Sequence, residues 1–498
     1  MHIKRAKKEI KDSVEAYLQK DAFGEYKMPA IRQRPILLMG PPGIGKTQIM
    51  EQIAKECRIG LVSYTITHHT RQSAIGLPFI KEKNYGGTTY SVTEYTMSEI
   101  IASVYDKMEQ TGLKEGILFI DEINCVSETL APAMLQFLQC KMFGNQKVPE
   151  GWVIVAAGNP PEYNKSVRDF DVVTLDRIRR IDVREDYGVW REYAYQAGIH
   201  PAILSYLELK KEYFYRMETT VDGRVFATAR GWEDLSVFLQ ACEAVGKKVD
   251  REVVHQYIQH WKIAKDFANY LVLFEKYKKD YGLAHILQGR YSRDIIEKLK
   301  FASFDERLSV VGMLLGRLSE MFEESYLADQ YVSRLFGWLK EYKAGGDLEK
   351  TVEEARKEYE QFRRMERLTK KADRMLRQVN DTLERYLMIL KEEHLTETGQ
   401  AFERVRSEFQ KEVTKREEVM GAAGEALDHA FCFLEEAFGD SQEMVSFVTE
   451  LNTNYYSIQY LKENDCAMYD KYNKRLLLDE QREEILEKME EAEQKLRE

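Results

Sequence analysis

The chain has little cysteine, little clustered positive charge and no long apolar run, and each shortage removes a class of explanation. Its six cysteines (Cys57, Cys125, Cys140, Cys242, Cys432 and Cys466) are scattered, with no CxxC pair. They offer neither a disulfide framework nor a thiolate metal site, and they fit reduced thiols in a cytoplasmic protein. No stretch approaches the roughly 20 apolar residues that cross a bilayer. The basic start, MHIKRAKKEIKDSVEAYL, lacks the apolar core of a secretion signal. No membrane insertion is expected, and the cytoplasm is the expected location. Lys and Arg total 73 against 83 Asp and Glu, a net charge of −10. That balance argues against general affinity for nucleic acid, whose phosphates need clustered cations.

What is present begins with size. At 498 residues, 44% hydrophobic and 31% charged, the chain is globular and too long for one compact core, so two or three domains are expected. The organising stretch is GPPGIGKT, Gly40 to Thr47, set between the apolar run Ile36 to Met39 and a helical stretch from Gln48. Gly40, four residues, then Gly45-Lys46-Thr47 is the complete P-loop pattern in its strand–loop–helix context. The glycines let backbone N–H groups turn toward phosphate oxygens, and the following helix aims its positive end at them. The residues expected to bind a nucleoside triphosphate are Gly40, Pro41, Pro42, Gly43, Ile44, Gly45, Lys46, Thr47 and Gln48. Lys46 should reach the β- and γ-phosphates, and the Thr47 hydroxyl should ligate Mg²⁺.

From there short apolar runs alternate with helical stretches: Pro35–Met39, Leu61–Ile66, Gly116 onward, Trp152–Ala156 and Ile181–Val183. This predicts a parallel sheet with crossover helices, the α/β plan of a P-loop NTPase core. LPFI, KEKNYGG and TTYSV predict an inserted hairpin before the helix Ser98–Gln110. GILFIDE buries four apolar residues and delivers Asp121 and Glu122 at the C-terminal end of its strand, where ligands sit in open α/β sheets. Asp121 is expected in the Mg²⁺ shell, and Glu122 is expected to orient and deprotonate an attacking water. Asn159, at the tip of the next strand, can hold that water or the γ-phosphate, although an Asn before proline also simply starts a turn. Arg177, Arg179 and Arg180 fall just before or within the last strand. The pair His68-His69 does not make a metal site, because neighbours on extended chain point apart and no acidic or thiol cluster joins them.

GPPGIGKT, ILFIDEI, VIVAAGNP and LDRIRR, with FATARGWEDLS later, resemble an AAA+ ATPase in order and spacing over about residues 30 to 300. Within that class the chain is similar to the MoxR-like, dynein-related group, in the inserted hairpin, the LDR form of the arginine motif and the motif around Arg230. The resemblance implies ATP as substrate, bound at each boundary of a homo-oligomeric ring, usually a hexamer. It makes Arg177 the arginine finger entering a neighbour's site, with Arg179 and Arg180 as rivals, and Arg230 a sensor in a helical lid. Many relatives work beside a von Willebrand factor A domain protein as remodellers or metalloenzyme activators. An ATP-driven remodeller of a client protein is the leading reading. A slow nucleotide switch is the alternative, and a nucleic-acid motor or clamp loader is disfavoured by the acidic total.

The expected division is 1–186 for the nucleotide-binding α/β domain, 187–344 for the helical lid and 345–498 for a helical C-terminal region. Helices are expected over Gly188–Ala197, Pro201–Leu209, Ala229–Val245, Arg251–Tyr281, Ser292–Leu299 and Phe304–Tyr342. After Ala344-Gly-Gly-Asp347 the chain becomes charge-dense. Val352, Ala355, Tyr359 and Phe362 step by three and four, and the stripe resumes at Leu368, Ala372, Met375, Val379, Leu383, Tyr386 and Leu390. This predicts a coiled-coil-like helix over Leu348 to Lys391 with a mid-course register shift, folded back on a helix carrying Phe402, Val405, Phe409 and Val413 as a hairpin roughly 60 Å long. Further helices are expected over Ala422–Phe438, Gln442–Leu461 and Lys474–Leu496. This region is either a docking arm or a brace.

Overall fold

The computed structural model describes residues 1–68, 71–143, 146–163, 170, 172–220, 223–365, 368–395 and 398–476. They form two compact units: residues 1–189 with 228–230 and 357–373, and residues 190–227, 231–356 and 374–498.

In chain order the first unit contains α1 (Ile3–Tyr17), β1 (Ile36–Met39), α2 (Lys46–Cys57), β2 (Gly60–Thr65), α3 (Arg71–Ile75), β3 (Pro78–Tyr85), β4 (Thr88–Tyr95), α4 (Glu99–Thr111), β5 (Gly116–Asp121), α5 (Ala131–Cys140), β6 (Met142–Phe143), β7 (Gln146–Lys147), β8 (Trp152–Gly158), α6 (Val172–Arg177), β9 (Arg179–Asp182) and the start of α7 (Tyr187–Ala197). The central sheet runs β2-β5-β8-β1-β9 with every pairing parallel. Both faces are covered, as continuous apolar strands require. Ile36, Leu38, Ile117, Phe119, Val153 and Val155 pack with Ile10, Val14, Ile49 and Ile53. The alternate residues Leu37, Met39, Leu118, Ile120, Ile154 and Ala156 pack with Ile100, Val104, Met134 and Phe137. The period of two along each strand thus sorts side chains onto two helical layers. Trp152 lies against the N-terminal ends of β2 and β5, where a Cβ on Gly116 would sit 2.5 Å from its ring.

The P-loop unit is therefore the parallel α/β core that the sequence predicts, and the inserted hairpin is present as β3 paired antiparallel with β4. Four strands differ from expectation by a residue or two at their ends: β1 begins at Ile36, β2 spans Gly60–Thr65, β8 runs on to Gly158 and β9 spans Arg179–Asp182. Of the histidine pair, His68 closes a short 3-10 turn and His69 lies outside the described residues.

The second unit is mostly helical. It holds the rest of α7, then α8 (Pro201–Leu209), a hairpin of β10 (Arg216–Thr220) and β11 (Gly223–Ala227), α9 (Ala229–Ala244) from Gly231 on, α10 (Arg251–Tyr257), α11 (Trp261–Tyr281), α12 (Leu283–Leu287), α13 (Arg293–Lys300), α14 (Phe304–Gly345), α15 (Leu348–Arg364) as far as Arg356, α16 (Lys370–Glu392) from Arg374 on, α17 (Thr398–Phe438), α18 (Gln442–Thr453) and α19 (Tyr455–Glu463). The central α14 is 42 residues long. It starts from Ser303, whose hydroxyl accepts the Glu306 N–H, and stops at Gly346 with φ 73°, start and stop signals of the ordinary kind. Its first half packs Val310, Leu314, Leu318 and Phe322 against Leu427, Phe431 and Leu434 of α17 and Phe447 of α18. Gly316 lets α14 approach α8, because a Cβ there would lie 2.7 Å from Pro201.

Several helices end elsewhere than expected. Arg251–Tyr281 is two helices, parted at 258–260. The helix expected over 348–391 is also two: α15 ends at Arg364 and α16 begins at Lys370, on either side of the register shift. Leu335, Leu339 and Tyr342 of α14 share one core with Val352, Val379, Leu383, Tyr386 and Val405, so four helices contribute where a two-helix hairpin was expected. Conversely, α17 runs unbroken through Gly421 and Gly424. Asn454 divides Gln442–Leu461, its side chain capping the N–H groups of Tyr456 and Ser457. The expected Lys474–Leu496 helix lies outside the described residues beyond 476.

Buried charges in this unit are paired with one another. Arg191 donates to Glu208 (2.9 Å) and Glu450 (2.6 Å). Arg307 pairs with Glu443 at 2.9 Å. Glu443 and Glu450 are seven residues apart and therefore lie on one face of α18.

Candidate active site

At the C-terminal ends of β1, β5 and β8, three adjacent strands, the chain turns sharply three times. After β1 the loop Gly40 to Gly45 leads into α2. Gly43 (φ 75°) and Gly45 (φ 90°) adopt left-handed backbone there, which a side chain would disfavour. Ile44 anchors the loop on the α1–α2 layer, and Gln48 stands exposed in the first turn of α2. The buried Lys46 ammonium donates to Gly40 O, Pro41 O and Asn159 Oδ1, each at 2.8 Å. Burial pulls its pKa down to about 8. Asp121 and Glu122 oppose that shift, and Arg230 reinforces it.

The Thr47 hydroxyl donates to Asp121 Oδ2 at 3.1 Å. A hydroxyl and a carboxylate side by side are the oxygen donors that a hard cation such as Mg²⁺ takes from a protein when phosphates and waters supply the rest. These two residues fit that ion. Glu122 follows with φ 56°, a left-handed conformation unusual for a residue with a side chain. Such strain collects at functional positions. Its N–H donates to Asp121 Oδ1 at 2.9 Å, which fixes the turn.

The expected binding and catalytic residues from β1, β5 and β8 are thus brought together: Lys46, Thr47, Asp121, Glu122 and Asn159. Arg230 also reaches the P-loop, since its N–H donates to Gly43 O at 3.2 Å and a Cβ on Gly43 would lie 3.5 Å from the Arg230 Cβ. Arg177 does not join this group. It ends α6, exposed, and its guanidinium bonds Gln139 on α5. Its two rivals are engaged elsewhere in the unit: Arg179 holds Glu9 (2.5 Å) and Ser13 on α1, and Arg180 pairs with Asp182 at 2.8 Å.

Sequence reasoning overlooked Asn124. Its Nδ2 donates to Asn159 O at 2.8 Å, and its Oδ1 accepts the Asn159 N–H at 3.3 Å. The signal was faint: one amide in a turn, two residues after Glu122 and beside the apolar Ile123. Nothing in a turn's composition says that a side chain will reach another strand.

The sheet order, the loop and the acidic turn define a P-loop core. Residues 36–178 match the model of the ATPase family associated with various cellular activities (AAA). The match runs from the first residue of β1 to the residue after Arg177 and includes the P-loop, the acidic turn and Asn159. It supports an ATPase of the AAA+ class. No curated protein matches the chain. Among the described residues, no helix is long and apolar enough to cross a membrane.

Proposed function

We propose that this protein is a cytoplasmic MoxR-like AAA+ ATPase that hydrolyses ATP, assembles as a homo-oligomeric, hexameric ring and remodels a client protein. The observation that carries the reading is the meeting of Lys46, the Thr47–Asp121 pair, Glu122 and Asn159 at one end of one sheet. Residues 1–186 act as the nucleotide-binding domain, 187–344 as the lid and 345–498 as an arm toward the client or a von Willebrand factor A domain partner.

Each residue has a distinct task. The backbone from Gly40 to Gln48 wraps the phosphates. Lys46 exchanges its carbonyl and carboxamide acceptors for β- and γ-phosphate oxygens. Thr47 and Asp121 hold Mg²⁺, which neutralises charge on the phosphates when bound. Glu122 takes the proton of the attacking water. The Asn159 carboxamide, released from Lys46, orients that water or the γ-phosphate. Arg230 reads the phosphates from the side of α9. Arg177 stabilises the charge that develops on the transferring group in a neighbouring subunit, which fits its exposure and its bond to Gln139 on α5.

Two variants test the assignment. Lys46→Ala should weaken ATP binding on the order of 100-fold, the scale of a lost charged hydrogen bond. Glu122→Gln should bind ATP as the wild type does yet turn it over about 10²- to 10⁴-fold more slowly. Calorimetric titration and phosphate release read both. Wild-type ATP affinity in Lys46→Ala would sink the site.

A further inference from the structure

We infer that Asn124 is a positioning residue for hydrolysis: its buried carboxamide clamps the backbone of Asn159 and couples the turn carrying Glu122 to the tip that faces Lys46. The inference rests on the ATPase reading above and adds a residue to it.

Asn124 is 3% exposed and holds Asn159 at both polar atoms of its backbone. The turn it sits in is closed by Cys125 N–H donating to Glu122 O and tied to β8 by Ile123 N–H donating to Ala157 O, each at 2.9 Å. Gly158 provides the clearance, since a Cβ there would lie 2.6 Å from Asn124 Oδ1. The clamp needs a donor and an acceptor on one short side chain, which an amide supplies and a carboxylate or apolar residue does not. Asn124 touches none of the reacting atoms. It acts on them through Asn159, whose Oδ1 lies 2.8 Å from Lys46 Nζ, and through the left-handed backbone of Glu122 two residues before it. Catalytic groups displaced by an ångström lose large factors in rate while binding changes little.

The test is steady-state ATP turnover and ATP binding by the full chain for wild type, Asn124→Ala, Asn159→Ala and the double variant. Asn124→Ala should lower kcat about 10- to 100-fold and leave the ATP Kd within about twofold. The double variant should be no slower than the slower single variant, because both changes break one coupled unit. Wild-type kcat in Asn124→Ala, or losses that multiply in the double variant, would overturn the inference. If Asn124→Ala does not melt cooperatively, Gly158→Ala carries the test, since its methyl displaces the Asn124 oxygen while every polar group remains. It should show the same loss of kcat, and a folded Gly158→Ala with wild-type kcat overturns the clamp. A wild type that binds no ATP overturns the proposed function and this inference together. A wild type that hydrolyses ATP beside an unaffected Asn124→Ala overturns the inference alone.

Discussion

The two units bury polar side chains in opposite ways. In the first, Lys46, Thr47, Asp121, Asn124 and Asn159 come from separate turns and converge on one point at the ends of β1, β5 and β8. In the second, charges close on one another across helices: Arg191 with Glu208 and the buried Glu450, and Arg307 with the buried Glu443. Closed pairs hold elements in register, and breaking one leaves a buried charge behind. Convergent groups on strained backbone, with Glu122 at φ 56°, are arranged for a reaction. The first unit gathers its polar groups at one point, and the second joins helix to helix in pairs.

The comparison can be broken from either side. The largest effect should come from Arg177→Ala, which should lower ATP turnover about 10³-fold or more while ATP affinity stays as it was. Phosphate release reads this, and unchanged turnover would remove Arg177 from the reaction. Arg179 and Arg180, bound to Glu9 and Asp182, should yield far smaller turnover losses.

Next in size are the closed pairs. Arg191→Ala should destabilise the helical unit by about 3–5 kcal/mol, because Glu450 is left buried without its main cation. Glu450→Gln should change stability by about 1 kcal/mol or less, since burial already holds the Glu450 pKa above the usual carboxylate range, Arg191 opposing it. Denaturant unfolding compares the two, and equal losses would mean that the pair is not held as described.

The last effect concerns pH. Lys46 titrates at about 8 in the folded, nucleotide-free protein, against roughly 10.4 in an unfolded chain. Between those values the unfolded state binds more protons, so the folded state gains stability as pH rises, on the order of 3 kcal/mol at the upper end. Read as a difference between wild type and Lys46→Met, the gain should be confined to pH above 8. A difference that is flat from pH 7 to 10 would show that the ammonium is not buried.

Much of this was legible beforehand, for reasons that differ by region. GPPGIGKT and ILFIDE are local patterns whose chemistry depends on spacing along the chain, so Lys46, Thr47, Asp121 and Glu122 could be placed without knowing the fold. The central strands β1, β5 and β8 were legible because both faces of each are apolar. Asn124 was not, since its task is set by Asn159, 35 residues on. The same holds for Glu450, whose partner Arg191 lies 259 residues away. The hairpin β10–β11 was missed because RMETT and GRVFA are short and neither alternates apolar with polar residues. The apolar stripe changes register between Phe362 and Leu368, and whether such a shift bends a helix or breaks it depends on what packs against it.

The most direct test of the account is ATP turnover per protomer as a function of protein concentration, in the absence of any partner. A site completed by a neighbour's Arg177 predicts a rate that climbs with concentration and then saturates, with Arg177→Ala flat and near zero throughout. A measurable wild-type rate that does not change with concentration would contradict a shared site and with it the ring.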